Sequence, residues 1–320
     1  MMKRLAGLLM TLSMCWLDGP SIAAQTRVPP VQVAEPGETG RRITDEGLLG
    51  NYFPARGKAA AVLVLGGSEG GLGTDWTNLS KALQSEGFSV LQVSYFRAPG
   101  QNTRLELIPL EYFATSLRWL RQQPEVDPSR VAIVGMSKGA EAALLVAVRH
   151  PHVKAVIAAM PSSVVWPGIA WEGTTAPMSS SWSEQGKPLP HLPHVPFDAS
   201  KGGSMADNYR ASLRAFAQHP EAIIPVERIA ARVMLVCAED DRTSPSCPMA
   251  RQIEQRLLEH GRPSVLMLAY KAAGHPAFGL PLASDHPRLT SAGGTSDGTN
   301  AARADSWKNA LAFLKANLEH

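Results

Sequence analysis

The sequence turns on residues 131–140, which read VAIVGMSKGA. The apolar run 131–134 is typical of a short buried strand, and residues 140–149 have the pattern of a helix. Between them, residues 135–139 match the motif G-x-S-x-G, which has meaning where a strand precedes it and a helix follows. This context predicts a sharp strand-to-helix turn that lifts the hydroxyl of Ser137 above one edge of a sheet.

Strand-like and helix-like segments alternate along most of the chain. The strand-like segments are 61–65, 89–93, 131–134, 153–158, 232–236 and 265–268, and the helix-like segments are 78–86, 107–121, 137–149, 249–260 and 301–318. This alternation predicts an α/β fold, a mainly parallel sheet with helices on both faces. Residues 161–225 interrupt the alternation with prolines, tryptophans and a serine run. We expect this insertion to form a cap that shapes a substrate pocket.

A nucleophilic serine needs a base, and the base needs an orienting carboxylate. In enzymes with this strand-turn-helix motif the order along the chain is serine, acid, histidine. Glu239, Asp240 and Asp241 all follow the strand-like run 232–236. We favour Asp241 as the acid, with Asp240 as the alternative, because the acid commonly lies a few residues past the strand. His275 lies in a glycine-marked loop after the last predicted strand and is the predicted base.

Acyl transfer also requires N–H donors for the oxyanion. One is expected from the backbone of Lys138, the residue after the nucleophile, and the other from Gly67 or Ser68 in the glycine-rich loop 65–71. The same loop does not fit a nucleotide-binding motif, because Leu72 stands where a P-loop has its lysine. The sequence therefore predicts an oxyanion hole and no cofactor.

Two pairs of histidines lie close together in the sequence, in His150-Pro151-His152 and in His191-Leu192-Pro193-His194. Neither pair has an accompanying set of metal ligands. We interpret all four as loop histidines and predict no metal site.

The N-terminus has the layout of a secretory signal peptide. A basic start at Lys3 is followed by an apolar stretch of 13 residues at 5–17 and by small residues at 21–24. An apolar stretch of that length is too short to span a bilayer. We expect residues 1–24 to be removed, so that the mature protein is periplasmic or secreted and has no stable membrane span.

The rest of the chain is expected to form an extended lead-in at 25–46 and one catalytic domain at 47–320. An apolar fraction of 44% supports a sizeable core. The 31 basic and 28 acidic side chains give a net charge of +3 without a long run of either sign, which argues against a nucleic-acid partner.

Export would change how the cysteines behave. Once Cys15 is removed with the signal peptide, Cys237 and Cys247 remain, ten residues apart. An oxidising compartment favours a disulfide between them, which would close the loop that carries Asp241. The alternative is two unpaired, partly buried thiols.

Four stretches of the sequence form a recognisable set: 62–71 with 87–88 and 94–96, then 110–113, 134–141, and the tail 274–307. Together they resemble the C-terminal catalytic domain of the acyl-CoA thioesterase and bile-acid-CoA:amino-acid N-acyltransferase family, in the α/β-hydrolase superfamily. The run S-K-G-A-E at 137–141 is more specific than G-x-S-x-G alone. Dienelactone-hydrolase-like proteins are the nearest neighbours of this pattern.

The resemblance implies a nucleophile at Ser137, an acid in the Asp240/Asp241 pair and a base at His275. Family members that transfer acyl groups to an amino acid use cysteine as nucleophile, so a serine implies hydrolysis. The eukaryotic members also carry an N-terminal β-sandwich domain, which we expect to be absent here.

We therefore expect a serine hydrolase that cleaves a small-molecule ester or thioester through an acyl-enzyme, using Ser137, Asp241 and His275. An acyltransferase or amidase on the same triad is the alternative enzyme. A non-catalytic binding protein on a hydrolase scaffold is the alternative of a different class.

Overall fold

The structure is a computed structural model that describes residues 31–171, 177–196, 203–262 and 265–319. The predicted signal peptide and the start of the lead-in lie outside the described residues. Within the described ranges, the helices include none with the length and apolar character needed to cross a membrane.

The strands, in chain order, are β1 (Arg41–Ile43), β2 (Leu49–Phe53), β3 (Ala59–Leu65), β4 (Ser89–Ser94), β5 (Ile108–Pro109), β6 (Val126–Met136), β7 (Val153–Ala159), β8 (Trp182–Glu184), β9 (Lys187–Pro188), β10 (Arg232–Ala238) and β11 (Val265–Tyr270). The helices are α1 (Thr74–Ser85), α2 (Leu110–Arg121), α3 (Lys138–Arg149), α4 (Met205–Leu213), α5 (Ser246–Glu259) and α6 (Ser296–Leu318).

Eight of the strands form one sheet, in the order β1-β2-β4-β3-β6-β7-β10-β11. All neighbours from β4 to β11 are parallel, whereas β1 and β2 are antiparallel additions at one edge. In a parallel sheet the carboxyl ends of the strands share one edge, so the loops after β3, β6, β7, β10 and β11 lie at the same end of the molecule.

The core lies on both faces of the sheet because each central strand alternates its side chains. In β3, Leu63 and Leu65 pack with α2, α3 and α5, whereas Val62 and Val64 pack with α1 and α6. All four side chains are fully buried. The predicted mainly parallel α/β fold is therefore confirmed.

The predicted lead-in needs correction. Its residues Arg41–Ile43 form β1, which pairs with β2 so that Arg41 faces Tyr52. Two of the three residues of β1 are arginines, so the strand lacks the apolar run of a buried strand. An edge strand needs only one buried face, which Ile43 supplies here.

Four helices begin about one turn before or after the predicted residue. Helix α1 begins at Thr74 rather than at 78, and α6 begins at Ser296 rather than at 301. Helix α2 begins at Leu110 rather than Leu107, because the preceding residues join a small sheet of β5, β8 and β9. Helix α5 begins at Ser246, before the predicted Met249, and Pro248 fits its first turn, where a backbone N–H is not needed.

The described part of the insertion 161–225 contains β8, β9 and α4. It has a hydrophobic cluster of its own, formed by Val164, Trp166, Leu192, Ala222 and Met249. Because Met249 belongs to α5, this cluster holds the insertion against the main domain.

Candidate active site

Ser137 occupies the turn between β6 and α3, with φ 56° and ψ −120°. A non-glycine residue persists in such a conformation only where its surroundings enforce it. Here they do, because a Cβ at Gly135 would lie 2.1 Å from the carbonyl oxygen of Gly139, and one at Gly139 would lie 2.2 Å from that of Leu65. Both glycines of the motif are thus required for the close crossing of strand and helix.

Asp241 and His275 meet across the loops that follow β10 and β11. The Nδ1 of His275 lies 2.8 Å from Oδ2 of Asp241. The other carboxylate oxygen accepts the N–H groups of Thr243 and Ser244, each at 2.9 Å. Burial raises the pKa of Asp241, but the imidazole and the N–H donors outweigh burial, so its pKa lies below the usual value. Asp241 is therefore an ionised group that can orient His275.

The two neighbouring carboxylates point elsewhere. Asp240 accepts the N–H of Gly294 at 2.8 Å, and Glu239 pairs with Arg251. Of the three acids that the sequence left in competition, the one that reaches His275 in the structure is Asp241.

The hydroxyl of Ser137 makes no hydrogen bond to any described residue, and this includes the imidazole of His275. Such a bond is often long without substrate and tightens in the complex. Ser137 lies in one cavity with Thr243 and Ser244, the two residues whose N–H groups hold Asp241.

In the glycine-rich loop after β3, the structure differs from the predicted oxyanion hole at Gly67. The N–H of Gly67 already donates to Oε1 of Glu69 at 2.8 Å, and the same oxygen accepts the indole N–H of Trp76. Gly67 is therefore not a free donor in this structure. Among the described residues, no acceptor lies within hydrogen-bonding reach of the N–H groups of Ser68 and Lys138.

The space at position 67 is nevertheless too tight for a side chain to enter without shifting its neighbours. A Cβ there would lie 2.8 Å from a carboxylate oxygen of Glu69 and 3.3 Å from the Cβ of Ser137. The hydroxyl of Tyr95 fixes the loop by donating to the carbonyl of Gly66 at 2.6 Å. Burial raises the pKa of Tyr95 well above its usual value, so this donor keeps its proton.

A buried ion pair directly follows the nucleophile. Nζ of Lys138 lies 2.9 Å from Oε2 of Glu141, and the two side chains are 6% and 2% exposed. The ammonium also donates to Oγ of Ser181 at 2.7 Å. Glu141 accepts the backbone N–H of Trp166 at 2.9 Å and the indole N–H of Trp182 at 2.8 Å. The ion pair therefore connects the start of α3 to two parts of the insertion, one at Trp166 and the other at residues 181–182.

Cys237 and Cys247 are bonded, with their sulfur atoms 2.06 Å apart. The first residue lies in β10 and the second in α5. The disulfide therefore closes the loop that carries Asp241.

A cavity of about 660 Å³ opens at Ser137. The insertion, including its helix α4, supplies much of the wall of this cavity. The described lining residues are Ser68, Ser137, Lys138, Glu141, Met160, Pro161, Ser162, Trp166, Gly168, Ile169, Ala170, Trp171, Met178, His194, Met205, Asn208, Tyr209, Thr243, Ser244 and Met249. His194, interpreted from the sequence as a loop histidine, is one of them.

Like His194, Arg303 of α6 was not among the functional residues expected from the sequence. It is 3% exposed and donates to the carbonyls of Leu280 at 2.7 Å, Pro276 at 2.8 Å and Phe278 at 2.9 Å. Burial lowers its pKa to about 10, so it remains a cation at neutral pH. It fixes the segment directly after His275, and no local sequence signal distinguishes it, because α6 also carries charged residues such as Asp305 and Lys308.

The fold is similar to that of a putative dienelactone hydrolase from Klebsiella pneumoniae subsp. pneumoniae MGH 78578. The TM-score is 0.54 at 15% identity, over 86% of this chain and 96% of that one. At this identity the likeness shows the fold alone.

In sequence, the chain is 28% identical to the bile acid-CoA:amino acid N-acyltransferase of Mus musculus, over 88% of this chain and 66% of that protein. It is 27% identical to the mitochondrial acyl-coenzyme A thioesterase 2 of Homo sapiens, over 94% and 61%. The chain thus spans less than two thirds of the length of these relatives. A family model described as BAAT / Acyl-CoA thioester hydrolase C terminal matches residues 108–320. The chain belongs to this family.

Proposed function

We propose that the protein is a serine hydrolase that cleaves an ester or thioester through a covalent acyl-enzyme. The observation that carries the proposal is the hydrogen bond of 2.8 Å between His275 and the buried Asp241, at the same sheet edge as the strained turn of Ser137. A histidine oriented by a buried carboxylate is the base that a serine nucleophile needs.

In the proposed reaction, Oγ of Ser137 bonds to the substrate carbonyl carbon while Nε2 of His275 takes its proton. Asp241 stabilises the imidazolium that forms. The N–H groups of Ser68 and Lys138 hold the oxyanion. The bond to the leaving alcohol or thiol then breaks, and His275 protonates that group. Water repeats the sequence on the acyl-enzyme and releases the carboxylic acid.

Acyl transfer to an amine is the second candidate, because one relative named above is an N-acyltransferase. It differs from hydrolysis only in the acceptor that attacks the acyl-enzyme. A serine rather than a cysteine at position 137 favours water as that acceptor.

The test uses purified protein lacking residues 1–24, with a panel of 4-nitrophenyl esters and acyl-CoA thioesters, each with and without added glycine. We expect release of the free acid from at least one class, and loss of turnover in Ser137→Ala with an unchanged circular-dichroism spectrum. Turnover retained by folded Ser137→Ala would contradict the serine mechanism. An N-acylglycine product would favour the transferase.

Export is also a proposal, since residues 1–24 have the layout of a cleavable signal peptide. Expression of the full chain in a Gram-negative host, followed by fractionation and N-terminal sequencing, tests it. A processed chain in the periplasm supports export, and an intact N-terminus in the cytoplasm opposes it.

A further inference from the structure

Three aromatic rings form one wall of the cavity that opens at Ser137. The rings of Trp166 and His194 are stacked, with centroids 5.1 Å apart and planes 11° apart. Tyr209 of α4 meets both of them edge-on, at centroid distances of 4.6 and 4.9 Å. We call these three side chains the ring wall.

His194 is the accessible member of the ring wall. Trp166 is buried and Tyr209 is half-buried, whereas His194 is exposed and lines the cavity. Trp166 stacks on one face of the imidazole, and among the described residues no second ring stacks on it, so the other face can take a further flat ring. Offset stacking of this kind is a preferred geometry for aromatic pairs.

The electrostatics of the cavity favour an uncharged ligand. Among its described lining residues, the ions are Lys138 and Glu141, and these two neutralise each other. Desolvation by the neighbouring side chains lowers the pKa of His194 and the Lys138 cation lowers it further, so the imidazole is neutral at neutral pH. The thioether of Met249 also faces the cavity, and sulfur contacts aromatic ring edges favourably.

All three side chains of the ring wall have a polar group without a hydrogen-bond partner among the described residues, and one of these groups is the buried indole N–H of Trp166. Neither the ring nitrogens of His194 nor the hydroxyl of Tyr209 make a hydrogen bond to a described residue. Burial raises the pKa of Tyr209, so its hydroxyl keeps its proton and can donate. The wall can therefore also bind a polar substituent on a stacked ring.

We infer that the acyl group of the substrate carries an uncharged aromatic ring, which stacks on His194 during formation of the acyl-enzyme on Ser137. This inference rests on the proposed function and narrows it to esters or thioesters of aryl-substituted acyl groups. The C–O or C–S bond to the leaving group breaks, the alcohol or thiol leaves with the proton taken from Ser137, and water releases the arylalkanoic acid.

The test compares two 4-nitrophenyl esters, 3-phenylpropanoate and 3-cyclohexylpropanoate. They share a leaving group, chain length and charge, and differ in whether the six-membered ring is flat and aromatic. We expect kcat/KM to favour the phenyl ester by about two- to tenfold, the range of one aromatic pair. The ratio should fall to about one in His194→Ala and persist in His194→Phe, which keeps a ring.

His191→Ala is the matched control, because His191 lies three residues away in sequence and is not among the cavity-lining residues. In His191→Ala, the ratio of kcat/KM for the phenyl ester to that for the cyclohexyl ester should equal the wild-type ratio. A wild-type ratio near one, or a ratio unchanged in folded His194→Ala, would overturn the inference while leaving ester hydrolysis intact.

A binding arm separates failure of the inference from failure of the proposed function. Calorimetric titration of Ser137→Ala with 3-phenylpropanamide and 3-cyclohexylpropanamide needs no turnover. Tighter binding of the phenyl amide that is lost with Ser137→Ala/His194→Ala supports the ring site even if no ester is cleaved. Equal binding of the two amides opposes it.

Discussion

The most informative perturbation of the fold is Glu141→Gln, which removes the negative partner of a buried cation. The side chains of Lys138 and Glu141 are 6% and 2% exposed, and their charged atoms are 2.9 Å apart. In the variant, Lys138 keeps neutral acceptors, of which Ser181 at 2.7 Å is the nearest. An uncompensated buried charge costs about 3–5 kcal/mol, and we expect that loss in the free energy of unfolding.

Two matched variants isolate the charge. In Lys138→Met/Glu141→Gln both charges are absent, so most of the loss should be recovered. Glu184→Gln removes the partner of Arg149, a pair at 2.6 Å that also joins α3 to the insertion but has side chains 26% and 40% exposed. That exposed pair should be worth at most about 1 kcal/mol.

The pH dependence of the loss has a definite sign. Burial lowers the pKa of Lys138 in the folded protein, and Glu141 opposes this effect. Without Glu141 the folded pKa falls further, while the unfolded chain keeps the ordinary lysine value. The unfolded chain then holds more protons between the two pKa values, so stability rises with pH in that window. The deficit that Glu141→Gln shows at neutral pH should thus shrink as the pH rises through the lowered pKa of Lys138.

Urea denaturation followed by tryptophan fluorescence, at several pH values, measures all of these quantities. A loss below about 1 kcal/mol for Glu141→Gln, or an equal loss in the double variant, would refute the reasoning.

Asp241→Asn should lower kcat by about 10²–10⁴-fold and Asp240→Asn by less than about threefold, because one carboxylate reaches the histidine and the other holds a backbone N–H. Cys237→Ala/Cys247→Ala should lose about 3 kcal/mol of stability, and unfolded, non-reduced protein lacking residues 1–24 should have no free thiol. Arg303→Met should lower kcat about ten- to a hundredfold by loosening the loop after the histidine, with partial recovery in Arg303→Lys.

Each of these expectations has a contrary result. A larger effect from Asp240→Asn would move the acid to that residue. Two titratable thiols in the protein lacking residues 1–24 would contradict the disulfide. Wild-type kcat in a folded Arg303→Met variant would mean that its three carbonyl contacts do not position the histidine.

The sheet and the strand-to-helix turn at Ser137 could be predicted because their sequence signals are local. The alternation of apolar runs marks each central strand, and the strand–G-x-S-x-G–helix sequence places Ser137. The choice between Asp240 and Asp241 could not be made with the same certainty. It depends on which carboxylate turns toward Thr243 and Ser244, and so on side-chain direction within one loop.

The remaining features depend on contacts between distant residues. The carboxylate of Glu69 accepts the N–H of Gly67, and the composition of the loop does not predict this hydrogen bond. Glu141 binds Trp182, 41 residues further along the chain. Opposite charges three residues apart in an otherwise apolar helix were the signal for a buried pair. His194 had no such signal, because its stacking on Trp166 arises only in the folded insertion.

Labelling with a fluorophosphonate tests the central claim most directly, since it reports an activated serine without a known substrate. Peptide mass spectrometry after labelling should locate one adduct, on Ser137, and Asp241→Asn should slow its formation. A folded protein that forms no adduct, or forms it on another serine, would contradict the account.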